Sequence, residues 1–109
     1  MKINQLYSKE NKWTQHVIAR DKDGKSVPSL DIKYSSNGQV LDYGKNAVAF
    51  SLYGAICRCY DYDSHEYVAD KLRRAIQAVT GKNFAIAEFN NLEQTTFADV
   101  KKVVEKAEV

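Results

Sequence analysis

The stretch from Asn46 to Tyr60 constrains the fold most, because Arg58 is its only charged residue. Its apolar side chains fall on all sides of a helix instead of forming one stripe. A helix of this kind belongs in the middle of a domain, where neighbours contact it on several sides. Asn46 can cap its start, and Gly54 inside it favours close packing against another backbone. The sequence therefore predicts a buried core helix over residues 46–60.

The residues before the core helix predict a small antiparallel sheet. Asp23-Gly24 and Asn37-Gly38 each lie between stretches rich in β-forming residues, and such pairs favour hairpin turns. Residues 1–12 are polar and are expected to be loose, although Ile3, Leu6 and Tyr7 could attach them to the rest of the domain. The first half of the chain is therefore expected to form an antiparallel hairpin or meander that packs on the helices after it.

Helical patterns dominate the second half of the chain. Residues 64–80 carry an apolar stripe at helical spacing, and Gly81 suits the left-handed position after a helix. A last helix begins after Thr96, whose hydroxyl can cap it. Between them, residues 84–89 fit a strand or a short helical turn equally well. The expected fold class is α+β, with about three helices packed around the core helix.

Length and composition are those of one soluble domain. The 109 residues allow a single core, so we expect one domain over residues 1–109. The net charge of +2 is too small to imply a nucleic acid or an anionic membrane as partner. No run approaches the roughly 18 apolar residues of a membrane span, and the N-terminus lacks the apolar core of a signal peptide. Because Cys57 and Cys59 are also badly spaced for a disulfide, we expect a cytoplasmic protein.

The sequence contains no recognisable catalytic or cofactor motif. No serine or cysteine stands in a nucleophile motif, and no glycine-rich loop has the phosphate-binding form. His16 and His65 are the only histidines, and the acidic residues around His65 fit a helix start better than a metal site. We therefore expect neither an enzyme nor a bound metal or cofactor.

Tyrosine is unevenly distributed, since six of the 7 tyrosines lie between residues 34 and 67. Not all of them fit into a core, and exposed tyrosines are enriched in protein interfaces. The sequence therefore predicts a surface that contacts a host protein or a second copy of the chain. That surface comprises Tyr43, Tyr60, Asp61, Tyr62, Asp63 and Tyr67. The simpler interpretation is that the tyrosines cover the core and turn their hydroxyls to water.

Two other binding sites remain open as alternatives. Trp13, Gln15 and Arg20 could bound a pocket for a small anionic ligand such as a nucleotide, with Arg20 gripping the anion. In a purely structural interpretation, Arg20 instead forms an internal ion pair with Asp21 that holds the hairpin on the helices. A basic helix face would suit nucleic acid, although such residues usually form a solvated surface. The members of that face are Arg58, Lys71, Arg73, Arg74 and Lys82.

Several short motifs occur in an order that resembles a known family. These motifs are Trp13-Thr14-Gln15, Ala19-Arg20-Asp21-x-Asp23-Gly24, Leu52-x-Gly54-Ala55, and Asn90 followed by Thr95, Thr96 and Val100. Over residues 13–107 the chain is similar to a family of small uncharacterised phage and bacterial proteins. It departs from them at Asn91, where the relatives tend to have Asp, and in a longer connection over residues 30–44.

The resemblance implies an origin in a phage or another mobile element and brings no established activity. Small proteins of such origin often bind a host protein, and some inhibit host defence enzymes such as CRISPR nucleases. This implication is an analogy with a class of proteins and does not come from individual residues. Together with the tyrosines, it predicts a non-catalytic binding protein that acts on a host protein.

Overall fold

A computed structural model gives the fold of the chain. The structure describes the backbone of residues 1–109 and all side chains except those of Ile32, Lys33 and Tyr43. In chain order, the elements are α1 (Ile3–Leu6), β1 (Ala19–Asp21), β2 (Ile32–Tyr34), β3 (Val40–Asp42), β4 (Ala47–Phe50), α2 (Leu52–Cys59), α3 (His65–Thr80), α4 (Ile86–Asn91) and α5 (Phe97–Ala107). Short 3₁₀ turns cover Glu10–Lys12, Tyr43–Asn46 and Tyr62–Ser64. This arrangement, with its strands in the N-terminal half, confirms the predicted α+β class.

The strands form two antiparallel pairs, of which one joins strands that follow each other in sequence and the other does not. β2 pairs with β3, and Gly38 in the turn between them has a φ of +84°. The hairpin predicted around Asn37-Gly38 is therefore confirmed. The chain also turns at Gly24, but beyond it an isolated bridge joins Arg20 to Ser26. The ladder partner of β1 is β4, which lies further along the chain.

The predicted bounds of the core helix, 46–60, are wrong at their start. The first of these residues form the end of a 3₁₀ turn and strand β4, and the helix begins only at Leu52. The Ser51 hydroxyl caps it by accepting a hydrogen bond from the Gly54 N–H at 3.1 Å. Asn46, expected to be the cap, lies in the 3₁₀ turn. Because the pairing of β4 with β1 is a long-range interaction, helical spacing alone could not reveal it.

The sequence predicts a core helix that neighbours enclose on several sides. Helix α2 is central, but one of its sides is open to water. Its buried residues are Leu52, Gly54, Ala55 and Ile56. The Tyr53 side chain is 53% exposed, and Arg58 also faces water. With only 8 residues, α2 makes about two turns and packs against α1, α3 and α4 on one side. Its other side is left open and forms a wall of the groove described below.

Gly54 does provide the close backbone packing that the sequence predicts. A Cβ atom at this position would overlap the carbonyl oxygen of Ile18, just before β1. The same oxygen accepts hydrogen bonds from the Ser51 N–H at 3.1 Å and from the Ser51 hydroxyl at 3.2 Å. The start of α2 is therefore held directly against the chain that enters β1.

The prediction of a loose N-terminal segment is wrong. The side chains of Ile3 and Tyr7 are fully buried. The Tyr7 hydroxyl donates a hydrogen bond to the Phe50 carbonyl at 2.9 Å, and the Asn4 N–H donates to the Val109 carbonyl at 3.0 Å. Polar composition misled the prediction, because the polar residues of this segment face water while two residues one turn apart reach the core.

The two amphipathic helices of the second half are confirmed. α3 ends at Gly81, which has a φ of +78°. Thr96 caps α5, since its hydroxyl accepts from the Asp99 N–H and the Asp99 carboxylate accepts from the Thr96 N–H. The segment 84–89, which fitted either a strand or a turn, contributes to helix α4. The largest fully buried side chains of the helices include Leu52, Ile56, Leu72, Ile76, Val100 and Val103.

The observed helix start can be tested by two alanine substitutions. Ser51→Ala is expected to lower the free energy of unfolding by about 1 kcal/mol or more, because it removes the acceptor for the Gly54 N–H. Asn46→Ala is the matched control and should change this free energy by less than about 0.5 kcal/mol. Guanidinium unfolding followed by circular dichroism measures both. Equal losses for the two variants would contradict a helix that begins at Leu52.

Candidate functional site

The polar groups around Trp13 converge on one buried asparagine. Asn90, in the last turn of α4, is 1% exposed. Its Oδ1 accepts hydrogen bonds from the Trp13 Nε1–H at 2.8 Å and the Leu52 N–H at 3.0 Å. Its Nδ2 donates to the Thr14 carbonyl at 3.1 Å and to the Asn91 Oδ1 at 2.9 Å. This set, which we call the Asn90 clamp, joins the segment before β1 to α2 and α4.

Arg20 extends the clamp from strand β1. Its Nε–H donates to the Thr14 hydroxyl at 2.8 Å, and its terminal nitrogens donate to the carbonyls of Gly24 at 3.0 Å and Gln15 at 3.3 Å. The predicted ion pair with Asp21 is wrong, since these two described side chains form none. The Asp21 carboxylate instead accepts from two backbone N–H groups of the turn that follows it.

The residues of the predicted anionic-ligand pocket, Trp13, Gln15 and Arg20, lie together but already bind protein atoms. The Gln15 side-chain amide donates to the carbonyls of Asn90 at 2.9 Å and Leu92 at 3.1 Å. A ligand would have to replace hydrogen bonds of a network whose members support one another. These contacts favour a structural role for the three residues.

Asn91 supports an unusual backbone conformation beside the clamp. Its Oδ1 accepts a hydrogen bond from the His16 N–H at 2.8 Å, and His16 has a φ of +71°. An Asp carboxylate at this position could accept the same hydrogen bond. An Asp at position 91 would therefore be compatible with a structural role.

Two of the basic residues predicted to contact nucleic acid are engaged in ion pairs. Arg73 pairs with Glu66 at 2.8 Å, and Arg74 pairs with Asp70 at 3.0 Å. Each pair sets one carboxylate against one cation on the same helix, α3. Their attraction for phosphate groups is reduced accordingly.

The other basic residues point in different directions. The Lys71 ammonium lies over the Tyr67 ring, 5.2 Å from its centroid. Lys71 and Arg73 point to nearly opposite sides of α3, because successive helical residues are about 100° apart. Arg58 lies on α2, and Lys82 follows the end of α3. Lys71 and Arg74 do line one cleft together with Lys106, but Arg58, Arg73 and Lys82 are not among its lining residues. The predicted basic face is therefore divided between several surfaces.

The residues of the predicted tyrosine surface do not all lie on the same side of helix α3. The junction between α2 and α3 brings together Tyr60, Asp61, Tyr62 and Asp63. Tyr62 is 86% exposed, whereas Tyr60 is half-buried. Tyr67 is 67% exposed, but it shares a side of α3 with Lys71 and turns away from Tyr62. The side chain of Tyr43 lies outside the described residues.

An open groove lies between α2, α3 and α4, beside the turn that carries Tyr62. Its volume of about 610 Å³ is within the roughly 300–1,000 Å³ that is usual for binding clefts. Tyr53 and Tyr62 line it together with two isoleucines, Ile56 and Ile86, that are almost fully buried. The charged and polar lining residues include Asp63, His65, Glu66 and Arg73. We call this cleft the tyrosine groove.

Both tyrosines of the groove have polar side chains as neighbours. The His65 Nε2–H donates to the Tyr60 carbonyl at 2.8 Å, and the imidazole centroid lies 5.7 Å from that of the Tyr62 ring. Cys57 lies one turn after Tyr53 on α2 and is the main cause of the raised pKa of the Tyr53 hydroxyl. The side chains of Tyr53 and Tyr62 are 53% and 86% exposed, so most of each ring is open to a ligand.

The charge of the groove at neutral pH comes from Asp63, Glu66 and Arg73. The pKa of Tyr53 is raised, chiefly by the nearby Cys57, and burial raises the pKa of the Cys57 thiol, so both groups are neutral. Glu66 and Arg73 pair at 2.8 Å, whereas Asp63 forms no ion pair with any described side chain. The groove is therefore slightly acidic.

The described part of the chain offers neither a metal site nor a membrane-spanning helix. Its histidine, cysteine and carboxylate side chains form no group of three that could hold a metal ion. None of its helices combines the length and the apolar character needed to cross a membrane. Cys57 and Cys59 are free, half-buried thiols.

Comparison with known proteins relates the chain to a family without an assigned activity. A family model, DUF6197, described as a family of unknown function, matches residues 5–109. No curated protein and no solved structure matches the chain. The matched residues include both the Asn90 clamp and the tyrosine groove.

Proposed function

The chain belongs to DUF6197, a family of unknown function, and we propose that it is a non-catalytic protein-binding domain whose contact site is the tyrosine groove. The observation that carries the proposal is the exposure of Tyr53 and Tyr62 above the apolar side chains of Ile56 and Ile86. Exposed aromatic residues beside an apolar cleft are typical anchors of protein interfaces.

The lining of the groove suits a segment of a protein better than a small polar ligand. An aliphatic side chain of the partner would contact Ala69, Ala85 and the exposed edge of Ile86, and peptide groups would meet the tyrosine hydroxyls at the rim. Binding clefts of this kind combine an apolar base with a few polar groups that fix orientation. The groove provides both.

Contacts elsewhere in the molecule weigh against the two other candidate functions. The polar groups of Trp13, Gln15 and Arg20 are bonded to protein oxygens in and around the Asn90 clamp. The basic residues are paired or scattered over different sides of the helices. Neither an anionic small ligand nor nucleic acid therefore has a prepared site of similar quality.

The setting of this function is taken from the resemblance to phage and bacterial proteins. A phage product would meet its partner in the cytoplasm of the host, so we propose a host protein as the partner. Inhibition of a host defence enzyme, such as a CRISPR nuclease, is one activity that such binding could have. A second copy of this chain is the other partner that the experiment below distinguishes.

The double substitution Tyr53→Ala/Tyr62→Ala tests the proposed contact site. The wild-type protein is used to capture a partner from nuclease-treated bacterial lysate, and the purified partner is then titrated calorimetrically. We expect the double variant to bind about tenfold more weakly or worse, because truncation of an anchoring tyrosine commonly costs about 1–2 kcal/mol. The unfolding midpoint should stay close to that of the wild type, because both side chains are largely exposed.

Tyr34→Ala and Tyr67→Ala are the matched controls, since both side chains are exposed and neither lines the groove. Each should leave the affinity unchanged. Wild-type affinity in the double variant, or an equal loss in the controls, would show that the groove is not the contact site. Sedimentation over a range of concentrations tests self-association: a dimer that the double variant abolishes would replace the host protein by a second copy.

A further inference from the structure

We infer that the tyrosine groove accepts a basic side chain, a lysine or an arginine of the partner protein, between Tyr53 and Tyr62 and beside Asp63. This inference rests on the proposed function and adds to it the chemistry of the ligand. The inference depends on three properties of the groove. These are two exposed aromatic rings, a carboxylate that forms no ion pair with a described side chain, and an apolar base.

The first property is the presence of two exposed aromatic rings in one groove. Tyr53 and Tyr62 both line it, and their side chains are 53% and 86% exposed. The face of a tyrosine ring attracts a cation. The chain already contains such a contact elsewhere, since the Lys71 ammonium lies 5.2 Å from the centroid of the Tyr67 ring.

The second property is the balance of charge. Glu66 is paired with Arg73 at 2.8 Å, which leaves Asp63 without an ion-pair partner among the described side chains. Asp31 is a minor cause of the raised pKa of Tyr53, but it does not line the groove. Since Tyr53 is neutral at neutral pH, carboxylates dominate the potential of the groove, and this potential attracts a cation.

The third property is the apolar base of the groove. Ala69, Ala85 and the exposed edge of Ile86 line the cleft, and Ile56 beside them is almost fully buried. Lysine and arginine bury their methylene stems on apolar surface while the charged end stays in polar surroundings. The apolar base would therefore contact the methylene stem of the basic side chain, and the carboxylates would attract its charged end.

An anionic ligand fits the groove less well. Among the described lining residues the permanent cation is Arg73, and its guanidinium is already bonded to Glu66. A phosphate or carboxylate would have to displace Glu66 and approach Asp63. The start of α3 favours negative charge, but Glu66 in its first turn already supplies it.

Three blocked tripeptides with a central lysine, glutamine or glutamate between two leucines test the inference. Each is titrated into isotope-labelled protein, and the amide shifts of groove residues are followed by NMR. We expect the lysine peptide to bind about threefold more tightly than the glutamine peptide and the glutamate peptide to bind least. The lysine preference should shrink between about 0.1 M and about 1 M salt. Equal affinities, a preference for glutamate, or shifts confined to other surfaces would overturn the inference.

Substitutions that change the charge of the groove in opposite directions sharpen this test. Asp63→Asn should weaken binding of the lysine peptide by about threefold. Arg73→Gln, which frees Glu66, should strengthen it by a similar factor. Glu105→Gln removes one carboxylate from an exposed position on α5 and is the matched control, with unchanged affinity. Effects of the opposite sign, or a control that weakens binding as much as Asp63→Asn, would count against a basic ligand.

The inference and the proposed function can fail separately. If Tyr53→Ala/Tyr62→Ala abolishes partner binding while the peptides show no charge preference, the groove remains the contact site and the basic ligand is wrong. If partner binding is indifferent to both tyrosines, the proposed function is wrong and the inference falls with it.

Discussion

Replacing Asn90 by alanine is expected to lower the free energy of unfolding by about 4 kcal/mol. The change removes the partners of the Leu52 N–H, the Trp13 indole N–H and the Thr14 carbonyl. Each buried polar group left without a partner costs about 1–3 kcal/mol. Since a domain is typically stable by about 5–15 kcal/mol, this variant would be near the limit of folding.

Guanidinium unfolding measures the loss, with Asn83→Ala as the matched control at an exposed asparagine. The control should change the free energy of unfolding by less than about 0.5 kcal/mol. Asn90→Asp separates hydrogen bonding from volume, because it keeps the acceptor for Trp13 and Leu52 but turns a second oxygen towards the Thr14 carbonyl. A loss below about 1 kcal/mol in Asn90→Ala would contradict a central role for the clamp.

Gly54→Ala is expected to have the second large effect, a loss of about 3 kcal/mol or more. In most helices the same change stabilises the protein by about 1 kcal/mol. The sign of the change in the free energy of unfolding is therefore informative. Here the new Cβ atom overlaps the Ile18 carbonyl oxygen, which cannot withdraw without weakening its two hydrogen bonds from Ser51. Because the overlap involves the backbone of Ile18, no side-chain rotation relieves it.

Gly81→Ala is the control for this substitution. An added Cβ atom meets nothing within 4 Å there, and the cost comes only from the left-handed backbone, about 1–2 kcal/mol. Thermal and guanidinium unfolding compare the two variants. A Gly54→Ala protein that is as stable as the wild type would mean that the Ile18 carbonyl does not approach α2.

The elements that the sequence predicted well are those with local signals. The apolar stripe and the terminal Gly81 of α3, and the reciprocal cap of Thr96 and Asp99 in α5, depend on residues within a few positions of one another. The β2–β3 hairpin follows from a turn between its own strands. Such signals act before any tertiary contact forms, so a sequence pattern can report them.

The errors concern residues whose structure depends on distant partners. Residues 46–50 have helical spacing, but β1 recruits most of them into a sheet, and α2 begins only after Ser51. Arg20 was expected to pair with its neighbour in sequence, whereas its guanidinium reaches three oxygens of the surrounding loops. Asn90 was named from the sequence only as part of a family motif, and its burial beside Trp13 reveals the clamp.

The candidate site was predicted in part. Tyr62 and Asp63 do line the groove, because they lie in the short junction that leads into α3. Tyr53 was assigned to the core and is instead a wall of the groove, since α2 is too short to be covered on every side. The position of Tyr67 on another side of α3 could have been read from helical geometry.

The Asn90 clamp contains the only tryptophan of the sequence, and this gives the protein a built-in optical probe. The Trp13 indole is bonded to Asn90 and lies 6.5 Å from the Phe97 ring, centroid to centroid. Its fluorescence therefore monitors the contact between the N-terminal segment and α4, and loss of that contact shifts the wavelength of maximum emission. The tyrosines absorb at shorter wavelength, so excitation at the long-wavelength edge of the tryptophan band reports on this contact without a tyrosine contribution.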